Sequence, residues 1–198
     1  YAVAVEAFHN FTLLHDDIMD KAPLRRGKPT VHEKWNVNTA ILSGDVMLVK
    51  VYDMLLSLPA DQLKEVLAIF NRTAAAVCEG QQLDMEFETI GKISEKKYLE
   101  MVRLKTAVLL GYSLEFGAVL ASAPAHDRRA LYDFGVNIGI GFQLKDDLLA
   151  LRWGYLVRQN ILTGEVIKAL VKPHTSKLST AEFAELFDLA AEEAAKDG

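Results

Sequence analysis

The sequence predicts an all-α fold, an antiparallel helical bundle, for two reasons. Long helix-compatible stretches fill most of the chain, and the apolar–polar alternation that marks strands is scarce. Residues 1–20 form the first stretch, which ends where Pro23, Gly27 and Pro29 introduce a hydrophilic turn. An apolar run resumes over 36–57 and stops at Pro59. Residues 61–88 continue with few breakers; Gly80 lies inside the run, and Asp61 is a candidate cap for its start. Ser94 supplies half a capping box before a helix over 95–121, with Lys97 where an acid would complete it. Pro124 and Asp127 separate that helix from one over 127–150, and 180–196 has the pattern of a terminal amphipathic helix. No linker or low-complexity tract divides the chain, so residues 1–198 read as a single domain.

Composition narrows the function classes. The 198 residues suffice for one substantial core, and 51% hydrophobic with 25% charged residues is the balance of a soluble globular protein. No uncharged apolar run reaches the roughly 18 residues of a membrane span, so no integral membrane contact is expected. The apolar start, Tyr1 to Phe8, contains Glu6 and lacks a basic leader, which makes it a poor signal peptide. The single cysteine, Cys78, cannot form an internal disulfide, and a cytoplasmic location fits. A net charge of −5 argues against a nucleic-acid partner. The charge is unevenly spread: Asp16, Asp17 and Asp20 are followed at once by Lys21, Arg25, Arg26, Lys28 and Lys34.

That clustering is the first chemical signal. On a helix Asp16 and Asp20 share a face one turn apart, with about 5–6 Å between their Cβ atoms, and Asp17 adds a third like charge. A helix C-terminus is the wrong end for anions, because the macrodipole is negative there. Stability alone does not favour this arrangement. A hard divalent cation reverses the local electrostatics, and magnesium favours carboxylate oxygens, taking one or two and filling its other positions with water and substrate phosphates. A solvated acidic helix end is the competing reading of one such motif. A second pair shifts the balance: Leu14-His15-Asp16-Asp17-Ile18-Met19-Asp20 resembles Leu144-Lys145-Asp146-Asp147-Leu148-Leu149-Ala150. The approach to that pair, Gly139-Ile140-Gly141-Phe142-Gln143-Leu144, is mostly apolar and would carry the carboxylates to the edge of a core. Two acidic clusters at the ends of apolar helices suggest a shared metal–diphosphate site. Beneath Asp16, helical geometry puts Thr12 almost directly below and Phe8 two turns down, with Phe11 farther round the helix.

Asp16-Asp17-Ile18-Met19-Asp20 followed by Arg25-Arg26-Gly27 resembles the first aspartate-rich motif of trans-prenyl diphosphate synthases, the polyprenyl synthetases, with its paired arginines. Gly80-Gln81-Gln82-Leu83-Asp84, Lys105-Thr106 and Gly141-Phe142-Gln143-Leu144-Lys145-Asp146-Asp147 follow in that family's order, and the likeness covers roughly residues 3–149. The resemblance implies the isoprenoid synthase fold, helices around a central cavity. It also implies a short-chain prenyltransferase that joins isopentenyl diphosphate head to tail to an allylic prenyl diphosphate.

By that resemblance Asp16 and Asp20 hold two Mg2+ ions on the allylic diphosphate, and Asp146 helps to hold a third. Arg25 contacts the allylic diphosphate and Arg26 that of isopentenyl diphosphate, where arginine's planar fork suits phosphate oxygens. Lys105 is a further point charge for the allylic diphosphate; Thr106 and Gln143 offer oxygens to the developing carbocation. Gln81 and Asp84, three residues apart on one helical face, are expected to support these groups, Asp84 by orienting Lys105 or a metal-bound water. Asp17 and Asp147 are expected in the same supporting role. The implied reaction ionises the allylic carbon–oxygen bond, lets the isopentenyl double bond attack, and ends in loss of a proton to the released diphosphate. No side-chain nucleophile is required, and His15 reads as a scaffold histidine. Phe11, five residues before the first aspartate, is implied as the floor of the product tunnel with Phe8 and Thr12, which favours geranylgeranyl over farnesyl diphosphate. A homodimer is implied as well.

The pattern also breaks in three places. The family's upstream helices, with a basic glycine-lysine-arginine segment, are not in this sequence; Ala150 stands where the second motif has its third aspartate; and Leu151 to Leu162 does not resemble the lysine- and glycine-bearing loop expected next. The expectation is a chain interrupted between Leu149 and about Ile167, because Arg152-Trp153-Gly154-Tyr155 continues neither the preceding helix nor a recognisable turn. A class I terpene cyclase and a non-catalytic regulatory subunit of a heteromeric synthase are the competing functions.

Overall fold

The computed structural model describes residues 1–90 and 93–158. They fall in two compact units, Tyr1–Gln143 and a second that begins at Leu144. Helix α1, Ala2–Met19, ends on the acidic motif, where the Asp20 backbone N–H donates to the Asp16 carbonyl at 2.9 Å. The hydrophilic turn that follows contains more order than the sequence suggests. Strands β1 (Leu24–Arg25) and β2 (Lys28–Pro29) pair antiparallel, Arg25 opposite Lys28. Their connection, Arg26-Gly27, has φ of 54° and 75°, both left-handed as a two-residue type I′ turn requires. Two-residue strands are too short to show alternation, which is why only a turn was legible. The buried Thr30 hydroxyl donates to the Ala22 carbonyl at 2.7 Å and closes this excursion before the short helix α2, Val31–Lys34.

Helix α3, Val37–Leu55, is capped by Asn36, whose side chain accepts the Thr39 N–H at 2.8 Å. Helix α4 spans Ala60–Glu88 and starts at Pro59. Asp61 is therefore not the cap; it lies in the first turn, where its charge favours the positive end of the helix dipole. Ser94 does cap α5, Glu95–Val102, accepting the Lys97 N–H at 3.3 Å. The single helix expected over 95–121 is interrupted: a π turn, Arg103–Ala107, separates α5 from α6, Val108–Leu120. Helix α7, Ala125–Arg158, runs past its expected end at 150, so Arg152-Trp153-Gly154-Tyr155 continues the helix after all. The rest of the expected interruption, 159–167, and the helix expected over 180–196 lie outside the described residues.

The first unit's core draws on α1, α3, α4 and α6. Phe8, Val51, Leu55, Val66, Phe70, Tyr112 and Phe116 are its buried centre. Phe8 meets Phe70 edge to face at 5.0 Å, Tyr52 meets Phe70 at 5.3 Å, and Tyr112 stacks on Phe116 at 5.5 Å, the offset and T-shaped geometries that aromatic quadrupoles favour. Burial pushes the Tyr112 phenol well above its ordinary range, with the Glu115 charge adding to the effect.

One approach within this unit bears directly on the site. A Cβ at Gly80 would overlap the backbone of Leu104 and Lys105, so α4 and the π turn touch main chain to main chain there. Gly80→Ala should therefore destabilise the protein by about 1–3 kcal/mol through overpacking. Gly117→Ala, which adds a methyl facing open space in α6, should stabilise by up to about 1 kcal/mol. Urea denaturation of the two variants checks the contrast; equal stabilities would mean that α4 yields freely at Gly80.

Candidate functional site

The π turn sets the site's geometry. A turn with one extra residue re-aims the side chains it carries, and such turns recur at functional sites. Here it carries Lys105 and Thr106. Lys105 Nζ donates to Asp84 Oδ2 at 2.6 Å and lies 3.4 Å from Asp16 Oδ1. Asp84 is one turn along α4 from Gly80, so the close approach of the two backbones places carboxylate and ammonium in reach. Thr106 Oγ1 donates to Gln143 Oε1 at 3.0 Å, joining the π turn to the last residue of the first unit.

Asp16 is the common member of two ion pairs. Its Oδ1 faces Lys105; its Oδ2 faces Arg25 Nη2 at 3.5 Å. Neither contact is a tight hydrogen bond, and Oδ1 is buried without one. Arg25 Nε donates instead to Asp17 Oδ1 at 2.6 Å, which neutralises the otherwise buried Asp17 carboxylate. Burial alone would lower the Lys105 ammonium's pKa. The hydrogen bond to Asp84 and the charges of Asp16, Asp84 and Asp20 outweigh burial and raise it. Asp20 therefore belongs to the same electrostatic cluster.

Of the other expected residues, Gln81 is half-buried on α4, and its Nε2 is a buried donor without a hydrogen bond. Arg26 occupies the left-handed turn, and its charge reaches Glu6: the Asn10 hydrogen bond, then the charges of His9 and Arg26, hold that carboxyl below its usual range. This Glu6–His9 face of α1 carried no signal in the sequence. The His15 ring packs against Gly44, 3.2 Å from the Ile41 carbonyl and edge to face with Phe11. Phe8 is 1% exposed within the core, Phe11 is half-buried against it, and the Thr12 hydroxyl donates to the His9 carbonyl of its own helix. Asp146 and Asp147 lie on α7 in the second unit, Asp146 exposed and Asp147 half-buried.

Asp16 and Asp20 fit magnesium. Both offer hard carboxylate oxygens one helical turn apart, and one Asp16 oxygen lacks a hydrogen-bond donor. Among the described residues no three acidic, histidine or cysteine side chains converge to enclose an ion. Magnesium does not need them, since water and phosphate oxygens complete its octahedron. Surface clefts of about 440 Å³ (Leu99, Arg103, Ile140) and about 320 Å³ (Arg72, Glu115, Tyr132) contain none of these residues.

Comparison with known proteins follows the same lines. The sequence profile of the family described as polyprenyl synthetase matches residues 1–154. A geranylgeranyl diphosphate synthase of Methanosarcina mazei is 46% identical over 150 residues, covering 75% of this chain and 46% of its own length. The solved geranylgeranyl pyrophosphate synthetase of Geoglobus acetivorans superposes with a TM-score of 0.75 at 37% identity, over 98% of this chain and 69% of that one. A Helicobacter pylori geranyltransferase, solved in complex with magnesium and isoprenyl diphosphate, superposes with a TM-score of 0.71 at 30% identity, over 76% of this chain and 52% of that one. The chain spans about half the length of the curated relatives it matches.

Proposed function

The chain belongs to the polyprenyl synthetase family, and from that premise we propose that it condenses isopentenyl diphosphate head to tail with an allylic prenyl diphosphate. The product is a short-chain trans-prenyl diphosphate, geranylgeranyl rather than farnesyl. One observation carries the reading: a single carboxylate, Asp16, meets both basic groups that suit a diphosphate, Arg25 and Lys105.

Asp16 and Asp20 would hold magnesium, and by resemblance Asp146 would be a further ligand, for three ions in all. When bound, magnesium neutralises the charge that builds on the departing diphosphate as the allylic carbon–oxygen bond breaks. Arg25 and Lys105 add fixed positive charge to the same leaving group without reorganising at the moment of reaction. Thr106 and Gln143 present oxygen dipoles to the allylic cation. Arg26 holds the diphosphate of the isopentenyl unit, whose double bond attacks that cation. The tertiary cation so formed loses a proton to the released diphosphate. Asp84, Gln81, Asp17 and Asp147 keep these groups in place. Phe11 and Phe8, with Thr12 above them, close the space into which the product grows.

A second copy of the chain is proposed as the partner of α3. Leu42, Val46 and Val49 recur on that helix at spacings of four and three, Leu56 follows at its C-cap, and the four are 58–64% exposed. Such a stripe of apolar side chains marks an interaction face. No described helix is long and apolar enough to cross a membrane.

Asp16→Ala should lower kcat at least ~100-fold, comparable to loss of one strong transition-state electrostatic contact; near-normal turnover with isopentenyl diphosphate, an allylic primer and magnesium would sink the metal assignment. Phe11→Ala should lengthen the products, since one helical turn of about 5.4 Å approximates one isoprene unit. Sizing the products checks this, and an unchanged distribution would place the floor elsewhere. Phe8→Ala is the costlier test, because removing this core ring should destabilise the protein by about 3–5 kcal/mol. Val46→Asp should shift the protein toward monomer in sedimentation velocity, whereas an unshifted dimer would exonerate this face.

A further inference from the structure

We propose that Lys105 and Arg25 are exchangeable counter-ions of Asp16, so that binding of a divalent cation and of a diphosphate are coupled through this one carboxylate; the inference rests on the synthase reading. Each oxygen of Asp16 faces a different cation, Oδ1 facing Lys105 at 3.4 Å and Oδ2 facing Arg25 at 3.5 Å. Each cation is held more tightly by another carboxylate. Lys105 is 2.6 Å from Asp84, and Arg25 is 2.6 Å from Asp17. Asp16 is thus guarded from both sides without being locked.

The difference in distance has a chemical consequence. A divalent ion that takes Asp16 breaks only the two long contacts. Lys105 and Arg25 stay tethered beside it by Asp84 and Asp17, with less negative charge opposing them, and so become better donors to phosphate oxygens. The exchange also runs in reverse. A diphosphate that draws the two cations toward itself uncovers the Asp16 oxygens for metal. Linkage makes the two effects equal in size. A direct metal–phosphate bond would add to the coupling but would not require Lys105, and that separates the two contributions.

The test measures each ligand alone, on the full chain, with charge-matched controls taken from the exposed Lys50–Asp53 pair of α3. Mn2+ is the probe cation, followed by the electron paramagnetic resonance of the free ion; inorganic diphosphate is titrated calorimetrically in the presence of a chelator. Lys105→Gln should tighten Mn2+ binding by about fivefold or more, the lower end of ordinary coupling factors, while Lys50→Gln changes it by less than about twofold, as expected of a screened surface charge. Asp16→Asn should tighten metal-free diphosphate binding by a similar factor, while Asp53→Asn should not. Thermal melts of all four variants verify folding, and the two arms are independent if one variant fails to fold. If the Lys105 and Lys50 variants shift Mn2+ alike, and the two Asp variants shift diphosphate alike, the exchange is overturned while the synthase reading stands. A wild-type chain that binds neither Mn2+ nor diphosphate overturns both.

Discussion

The contact on which the site depends is made between backbones. At Gly80, helix α4 lies against the main chain of Leu104 and Lys105 with no room for a side-chain carbon. From that point the arrangement follows by helical geometry and reach. One turn along α4, Asp84 stands where Lys105 can grasp it, and the same ammonium then meets Asp16 at the end of α1. The π turn contributes the remaining condition. In a regular α-helix the side chains of Lys105 and Thr106 would be differently phased; the wider turn gives one to Asp84 and the other to Gln143.

Placing acids at the end of α1 is electrostatically unfavourable, and the structure shows how far the protein compensates. The buried Asp17 is paired with Arg25, which removes the costliest charge from consideration. Lys105 offsets Asp84 and part of Asp16. Arg25 and Lys105 thus pair with Asp16, Asp17 and Asp84, and the Asp20 charge acts on the same Lys105. The helix dipole adds negative potential at this end of α1. Hard carboxylate oxygens at a helix C-terminus suit a small divalent cation, which would reverse the sign of the local charge.

The sequence made the helices legible because their apolar periodicity is long and their breakers stand between them. It also made the first acidic motif legible, since clustered carboxylates at a helix end have few structural uses; the second pair, Asp146-Asp147, was expected at a helix end too but lies within α7, which runs on to Arg158. What it concealed is local and geometric. Nothing in Arg103-Leu104-Lys105-Thr106-Ala107 distinguishes a π turn from an α-helical one, as the distinction lies in which carbonyl each N–H selects. The β1–β2 hairpin has no room for alternation. Asp61 illustrates a different difficulty: its residue type suits a cap, but Pro59 fixes the start two residues earlier. The Lys105–Asp84 pair joins residues on separate helices, a contact that the spacing within either motif does not encode.

Helix α1 connects two regions with opposite requirements. At its middle, Phe8 is locked between aromatic neighbours, so that the whole rod has little freedom to slide. At its end, Asp16 is held only by long contacts, and beyond it the chain turns back through a hairpin whose tip is Arg26. That residue sits at φ 54°, a left-handed conformation that costs a non-glycine residue roughly 1–2 kcal/mol. Asparagine would suit the first position of a type I′ turn better. The strain is sustained because the Arg25–Lys28 pairing, Gly27 and the Thr30 bond to Ala22 over-determine the turn. The turn thereby fixes the place from which the Arg26 guanidinium extends, as the left-handed Lys21, at φ 50°, fixes the exit from α1. The rigid aromatic anchor makes that placement useful, because a charge on a strained tip is positioned only as well as the helix that carries it.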